Sequence, residues 1–167
     1  MTAKKKDSTF DEREFRTRAE ALIKEQSTMT LATSGGDEAW AAPVYYNYRK
    51  SSFYFFSDPS SRHIQESMKC GQAAAAIYAD STSWEGIRGV QMSGKIEVVP
   101  VGLEAVEAIR GYLKKFSFTK EFFKGGQSID LDAFTKRFRV KLYRYTPVLL
   151  YYMDNSIRFG FREELQL

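Results

Sequence analysis

The stretch Trp84–Val99 reads WEGIRGVQMSGKIEVV, and its alternation decides between helix and sheet. Val90, Met92, Gly94, Ile96 and Val98 fall on one parity, and Gln91, Ser93, Lys95 and Glu97 on the other. Side chains of a strand alternate between two faces, so this is a half-buried strand with Val90, Met92, Ile96 and Val98 turned inward. Its entry is bare of side chains. Gly86 and Gly89 let something approach the backbone, Trp84 can stack on or shield a flat ligand, and Gln91 can both donate and accept hydrogen bonds. The plain alternative is a glycine-containing loop that enters an ordinary strand with Gln91 in solvent.

Outward from this strand the period of the apolar residues changes twice. Upstream, Phe15, Ala19, Leu22 and Ile23 recur at helical spacing behind Asp11, a good cap, and predict a helix over residues 11–25. STMTLATS, AWAAPVYYNY and SSFYFFS are β-branched or aromatic runs divided by SGGDE and RKSS, which predicts two successive hairpins. Tyr45 and Tyr46 must point to opposite faces, one of them inward. SSRHIQESMKCG predicts a short helix ending at Gly71, and QAAAAIYAD a buried strand. Downstream, Leu103, Val106, Ile109, Leu113 and Phe116 mark another amphipathic helix, residues 116–138 continue as helical pieces, and RVKLYRYTPVLLYYMD returns to β. With four or five strands ahead of the helical excursion and few crossover helices, the pattern favours a small closed antiparallel barrel over a doubly wound sheet.

A chain of 167 residues that is 43% hydrophobic and 15% aromatic suits one globular domain. No apolar run reaches the length of a membrane span, and MTAKKKD lacks the apolar core of a signal peptide, so a soluble, cytoplasmic protein is expected. One cysteine, Cys70, excludes an internal disulfide, and one histidine, His63, leaves too few soft ligands for structural zinc. No metal is expected. The formal charge is +4, but three lysines and an aspartate in residues 4–7 supply +2 of it. The remainder is about balanced, so no nucleic-acid partner is expected, and a single-strand-binding barrel ranks last among the readings.

The chemistry concentrates at SDPSSRHIQ, where a strand runs into a helix N-terminus. Unpaired N–H groups and the positive end of the helix dipole attract anions there; Ser57, Ser60 and Ser61 add hydroxyls and Arg62 a forked cation. The structural alternative is that Asp58 or Ser60 only caps the helix. His63 sits in the same turn without a recognisable serine or cysteine nucleophile motif, so a phosphate or water contact is the simpler role than general base.

Taken in order, MTLATSGGDEAWAAPVYYNY, FYFFSDPSSRHIQE, IRGVQMSGKIEVV and YYMDNSIRFGFREE resemble the pyridoxamine 5′-phosphate oxidase-like family of FMN-binding split barrels. GVQxxGxI with a terminal DNSxxFGFR resembles a poorly characterised bacterial branch of it. The resemblance implies a mainly β, α+β fold: a small antiparallel split β-barrel with an N-terminal helix and a helical insertion before the last strands. It implies one FMN-binding domain over residues 10–167 behind a disordered basic tail at 1–9, and a homodimer with two flavins at its interface. Pro43, Val44, Tyr45 and Tyr46 correspond to the strand along the flavin, and Ser57 to the residue that approaches the cofactor. Ser61, Arg62 and His63 stand in place of the SRK-like phosphate triplet, and Gln91 is the nearest match to a flavin-contacting glutamine.

Two departures accompany the match. Histidine in place of lysine makes the positive charge conditional on pH, and Gln91 has a different register to Gly94 from that in the oxidases proper. The chain also ends in DNSIRFGFREELQL rather than in a segment with arginine and histidine that grips pyridoxine phosphate, so oxidase activity of that kind is not expected. The resemblance implies an FMN-dependent oxidoreductase acting on an unidentified small molecule, in which backbone amides near Gly89 or Tyr46 polarise the ring. The alternative is a flavin or haem binding module of the same fold without turnover; deazaflavin is the other cofactor to be weighed.

Overall fold

Phe15, Ala19, Leu22 and Ile23 fall on one stripe of helix α1 (Glu12–Glu25) and are all buried, while the far side carries Arg16–Glu20, Glu14–Arg18 and Glu20–Lys24 ion pairs one turn apart. The computed structural model describes residues 12–117, 135 and 138–167. Asp11, the basic tail at 1–9 and the stretch 118–134 of the expected helical pieces lie outside the described residues.

After α1 the chain makes two hairpins. β1 (Thr28–Gly35) pairs β2 (Glu38–Tyr45), and β3 (Asn47–Arg49) pairs β4 (Ser52–Ser57) around Lys50 and Ser51, both at positive φ, the backbone that matches a tight hairpin to the strand twist. The single aromatic strand expected over AWAAPVYYNY is divided at Tyr46. This residue turns fully into the core and donates its hydroxyl to the Ile23 carbonyl at 2.6 Å. Helix α2 (Arg62–Cys70) stops at Gly71, whose φ of 73° an L-residue rarely adopts. β5 (Ala73–Tyr78), β6 (Arg88–Val98), α3 (Leu103–Lys115), β7 (Lys141–Asp154) and β8 (Arg162–Glu164) complete the order, with six strands ahead of α3 where four or five were expected.

All strand pairs are antiparallel and form one sheet in the order β2-β1-β5-β6-β7-β4-β3, with β8 beside the end of β7. The sheet curls until β2 and β4 touch, a split barrel closed over the side chains of its concave face. Met29, Leu31, Phe53, Phe55, Met92, Tyr145 and Tyr152 fill that interior together with the buried stripe of α1. Pro147 is tolerated inside the 14-residue β7 because the register slips there: Ser93 faces Leu149 and Gly94 faces Pro147, leaving Val148 bulged out. Val98, expected inward, is 46% exposed. It is the last residue of β6, beyond the interior, and lies in a groove with Val101 and Leu142.

Among the described residues, helix α3 covers one half of the outer face. Ala105, Ala108 and Ile109 of α3 pack over Tyr54 and Leu142. On the other half, strands β2, β1, β5 and β6 turn small or polar residues outward apart from the strand-end residues Tyr45 and Tyr78, and the register sets Pro43, Thr30, Ala76 and Gln91 in one transverse row. No described helix is long and apolar enough to cross a membrane.

Candidate functional site

The end of β4 delivers Ser57 to the first turn of α2. Ser57 Oγ lies 2.8 Å from His63 Nε2 and 3.1 Å from Ser61 Oγ. Ser61 Oγ donates to the Asp58 carbonyl at 2.7 Å and lies 3.3 Å from the same imidazole nitrogen. Ser57 and His63 are both buried. Asp58 organises the approach to the helix by accepting from the amide and the hydroxyl of Ser60, both at 2.7 Å. Ser61 occupies the cap position without a side-chain cap bond; its carbonyl accepts from the amides of Ile64 and Gln65. The amides of Arg62 and His63 have no acceptor among the described residues. Two hydroxyls, an imidazole and two amides therefore converge within one turn, where the amides, and Ser57 once its hydrogen is released, can donate to an oxyanion.

Charge is arranged differently from that donor set. Arg62 donates from Nε to Glu66 at 2.6 Å and from a terminal nitrogen to Glu38 at 2.9 Å, and its guanidinium lies 4.8 Å from the Trp40 ring centre. Glu66 also accepts from the Thr33 hydroxyl at 2.6 Å, and Thr33 and Arg62 hold its carboxyl below the ordinary carboxylate range. Burial pushes the His63 imidazole down from its ordinary pKa, against the opposing charge of Glu66.

The other sequence candidates separate into two groups. Tyr46 belongs to the core, and its amide donates to the Ser27 carbonyl, so it is not available to polarise a ring. Gly89 lies in β6 between β5 and β7, and its amide is likewise within the ladder. Val44 packs against the core, whereas Tyr45 is half exposed with its ring edge toward Phe116, centres 5.2 Å apart. Pro43 and Gln91 share the outer row, three strand spacings apart in sheet order, a span of about 14 Å. Gln91 lines a cleft of about 300 Å³ with Ala76, Tyr78, Asp80, Ile87 and Met153. β2 joins the two regions: Glu38 at its start pairs with Arg62, and Pro43 lies five residues on, roughly 17 Å along the strand.

The bare entry to β6 is filled by the protein itself. A Cβ on Gly89 would lie 2.6 Å from the Ile77 carbonyl oxygen, and one on Gly86 would meet the Ser81 hydroxyl. Sequence reasoning did not find Asn155, which fastens this entry: its amide side chain donates to the Trp84 carbonyl at 2.9 Å and its backbone to Ile87. The Trp84 ring meets Phe159 edge-on, centres 5.9 Å apart. Nor did it find Glu38, Glu66 and Trp40 around Arg62; only Glu66, four residues along the helix, carried a readable signal.

No family model matches the chain. It is 30% identical over 79 residues to a UPF0306 protein of Cronobacter sakazakii, an alignment spanning 46% of this chain and only 55% of that protein's length. It is 28% identical over 140 residues to the UPF0306 protein YhbP of Escherichia fergusonii, covering 83% of this chain and 84% of that one. Among solved structures, a haem binding protein from Mycobacterium smegmatis superimposes with a TM-score of 0.69 at 16% identity, over 94% of this chain and 58% of that one. An FAD-binding protein from Mesorhizobium loti gives 0.59 at 15% identity, over 80% and 90%. A candidate pyridoxamine 5′-phosphate oxidase from Listeria innocua gives 0.61 at 15%, over 81% and 95%. At these identities the likeness is one of fold: the chain is a curled antiparallel split barrel of the kind that holds flavin in some proteins and haem in others.

Proposed function

We propose that the chain binds FMN and works as an oxidoreductase on a small molecule, as a homodimer whose second copy covers the outer face of β2, β1, β5 and β6, which no described helix covers. The observation that carries this reading is the convergence of Ser57, Ser61, His63 and two amides without an acceptor among the described residues at the start of α2, in a fold shared with an FAD-binding protein. As hydrogen-bond donors these residues fit a phosphate. FMN would supply the redox chemistry when bound. Ser57 and the Arg62 and His63 amides would hold its phosphate, with Ser61 beside them. Pro43, Val44 and Tyr45 would lie along the ring system. Gln91 would hydrogen-bond a ring edge, and the small residues of its row leave space for a flat ligand.

The second reading, a haem or flavin carrier without turnover, draws support from the Mycobacterium smegmatis protein. Against haem stands the only histidine of the chain: its Nε2 is engaged by two serine hydroxyls, so it is not presented as an axial ligand. The absorption spectrum of the purified protein, before and after denaturation, separates the readings. Flavin bands that bleach on reduction are expected; a Soret band would replace FMN by haem, and colourless protein that takes up no added FMN would exclude the flavin reading. Steady turnover of an acceptor with a nicotinamide cofactor as donor separates enzyme from carrier, and analytical ultracentrifugation reads the dimer.

A further inference from the structure

We infer, on the reading that the FMN phosphate docks at the start of α2, that the phosphate is taken up together with one proton and that His63 carries it.

Hydrogen counting comes first. Ser57 and Ser61 have one hydroxyl hydrogen each. That of Ser61 goes to the Asp58 carbonyl, which can only accept. With Nε2 unprotonated, the hydrogen of Ser57 goes to Nε2 at 2.8 Å, and neither hydroxyl keeps one for a ligand. Once Nε2 carries a hydrogen, it donates to Ser57 Oγ, and the Ser57 hydroxyl is released to an incoming oxygen. A shift of the neutral ring to its other tautomer would release the same hydrogen but bring no charge.

Charge decides between the two. Arg62 starts α2 beside the cluster but is turned to Glu66, one turn further along, and to Glu38 on β2, which acts through it; Asp58 lies in the approach loop. From β7 come Lys141, opposite Ser57, and Tyr143, which feels Asp58; Arg139 also acts on Asp58. The three cations and three carboxylates of this set cancel, and Arg62 is held by two of the carboxylates. Among the described residues, a phosphate dianion therefore meets hydrogen-bond donors without net positive charge unless His63 provides it. Because burial disfavours the imidazolium in the empty cluster, the proton arrives with the ligand instead of waiting for it.

Calorimetric titration of FMN at pH 7.5, in buffers of different ionisation enthalpy, counts the proton, with riboflavin, which lacks the phosphate, as control. Uptake approaching one proton is expected for FMN and none for riboflavin, and FMN affinity should fall by about tenfold per pH unit above neutrality. Since His63 is the only histidine, imidazole NMR reads its protonation in free and bound protein without any mutation. His63→Lys, a fixed charge, should remove the pH dependence, and the NMR measurement stands if that variant does not fold. FMN binding without proton uptake, uptake equal for riboflavin, or a neutral His63 in the complex each overturns the inference while the flavin reading survives. Failure of both FMN and riboflavin to bind removes that reading and the inference with it.

Discussion

Arg62 Nε lies 2.6 Å from Glu66 Oε1, one turn along the same helix, so the arginine nearest the oxyanion donors is turned away from them. Glu38 holds the other end of the guanidinium at 2.9 Å from the neighbouring hairpin. The pair fixes the β1–β2 hairpin against α2, and it also sets how much positive charge reaches Ser57 and Ser61.

Glu38→Gln should therefore tighten FMN binding. Glu38 is largely exposed, so its removal leaves the fold intact while loosening one of the two restraints on Arg62. An increase in affinity on the order of two- to fivefold at low ionic strength is expected, shrinking as salt is raised. Flavin fluorescence quenching measures it. Unchanged affinity would mean that Arg62 does not act on the phosphate.

At the opposite side of the sheet, Asp154 is buried and accepts from the Tyr152 hydroxyl at 2.7 Å and from the amide and hydroxyl of Ser156, with Arg18 at 3.6 Å. Burial raises its pKa, but the hydrogen bonds from Ser156 and Tyr152 and the Arg18 charge outweigh that and hold it below the ordinary value. A carboxyl depressed in the folded state stabilises above its unfolded pKa, about 3.9, and that contribution is lost as pH falls through the folded value. Asp154→Ala should lower stability at pH 7 by about 1–3 kcal/mol, because it leaves the buried Tyr152 hydroxyl without its acceptor. The same variant should show a flatter acid limb in urea unfolding below pH 4. An unchanged midpoint at pH 7 would contradict this.

Much of the fold was legible because the apolar period switches cleanly. The stripe of α1, the stop of α2 at Gly71 and the alternation of β6 are local properties of the chain. Tyr46 was half legible: alternation required Tyr45 or Tyr46 to face inward, but only the Ile23 carbonyl, 23 residues away, decides which. The site was legible as a donor set and not as a charge distribution. Ser57, Ser61 and His63 lie within seven residues and meet through one turn, whereas the partner that turns Arg62 aside, Glu38, is 24 residues upstream on another element. Asn155 and Trp84 are 71 residues apart, and no local signal joins them.

Lys115 was equally invisible in the sequence. Its ammonium donates to the Gln26 carbonyl at 2.6 Å, just past the end of α1, and lies 4.0 Å from the centre of the Tyr46 ring. Burial pushes its pKa down to about 8. Between pH 8 and about 10.4 the unfolded chain thus binds more protons than the folded one, and this group makes stability rise with pH. Lys115→Met should flatten that rise between pH 7.5 and 9, a range in which few tyrosines ionise. Urea unfolding at three pH values checks it, and a slope identical to that of the unaltered protein would show that Lys115 is not desolvated.

Gly89 and Gln91 are two residues apart on β6 and should respond to substitution in opposite ways. Gly89 sits between two paired strands with the Ile77 carbonyl pressed against the position of its missing side chain. Gly89→Ala forces β5 and β6 apart and should cost about 1–3 kcal/mol of stability, as overpacking does elsewhere. Gln91 is exposed, with its side chain in the cleft beside Asp80 and Met153, so Gln91→Ala should leave stability within about 0.5 kcal/mol. If the flavin ring occupies the outer row, the same substitution should weaken FMN binding several-fold and shift the flavin absorption maximum, while proton uptake at His63 stays unchanged. Thermal unfolding and FMN titration of the two variants read both quantities. A Gln91→Ala protein with unaltered FMN affinity and spectrum would remove Gln91 from the site and leave β6 a structural strand, its glycines serving only the approach of β5.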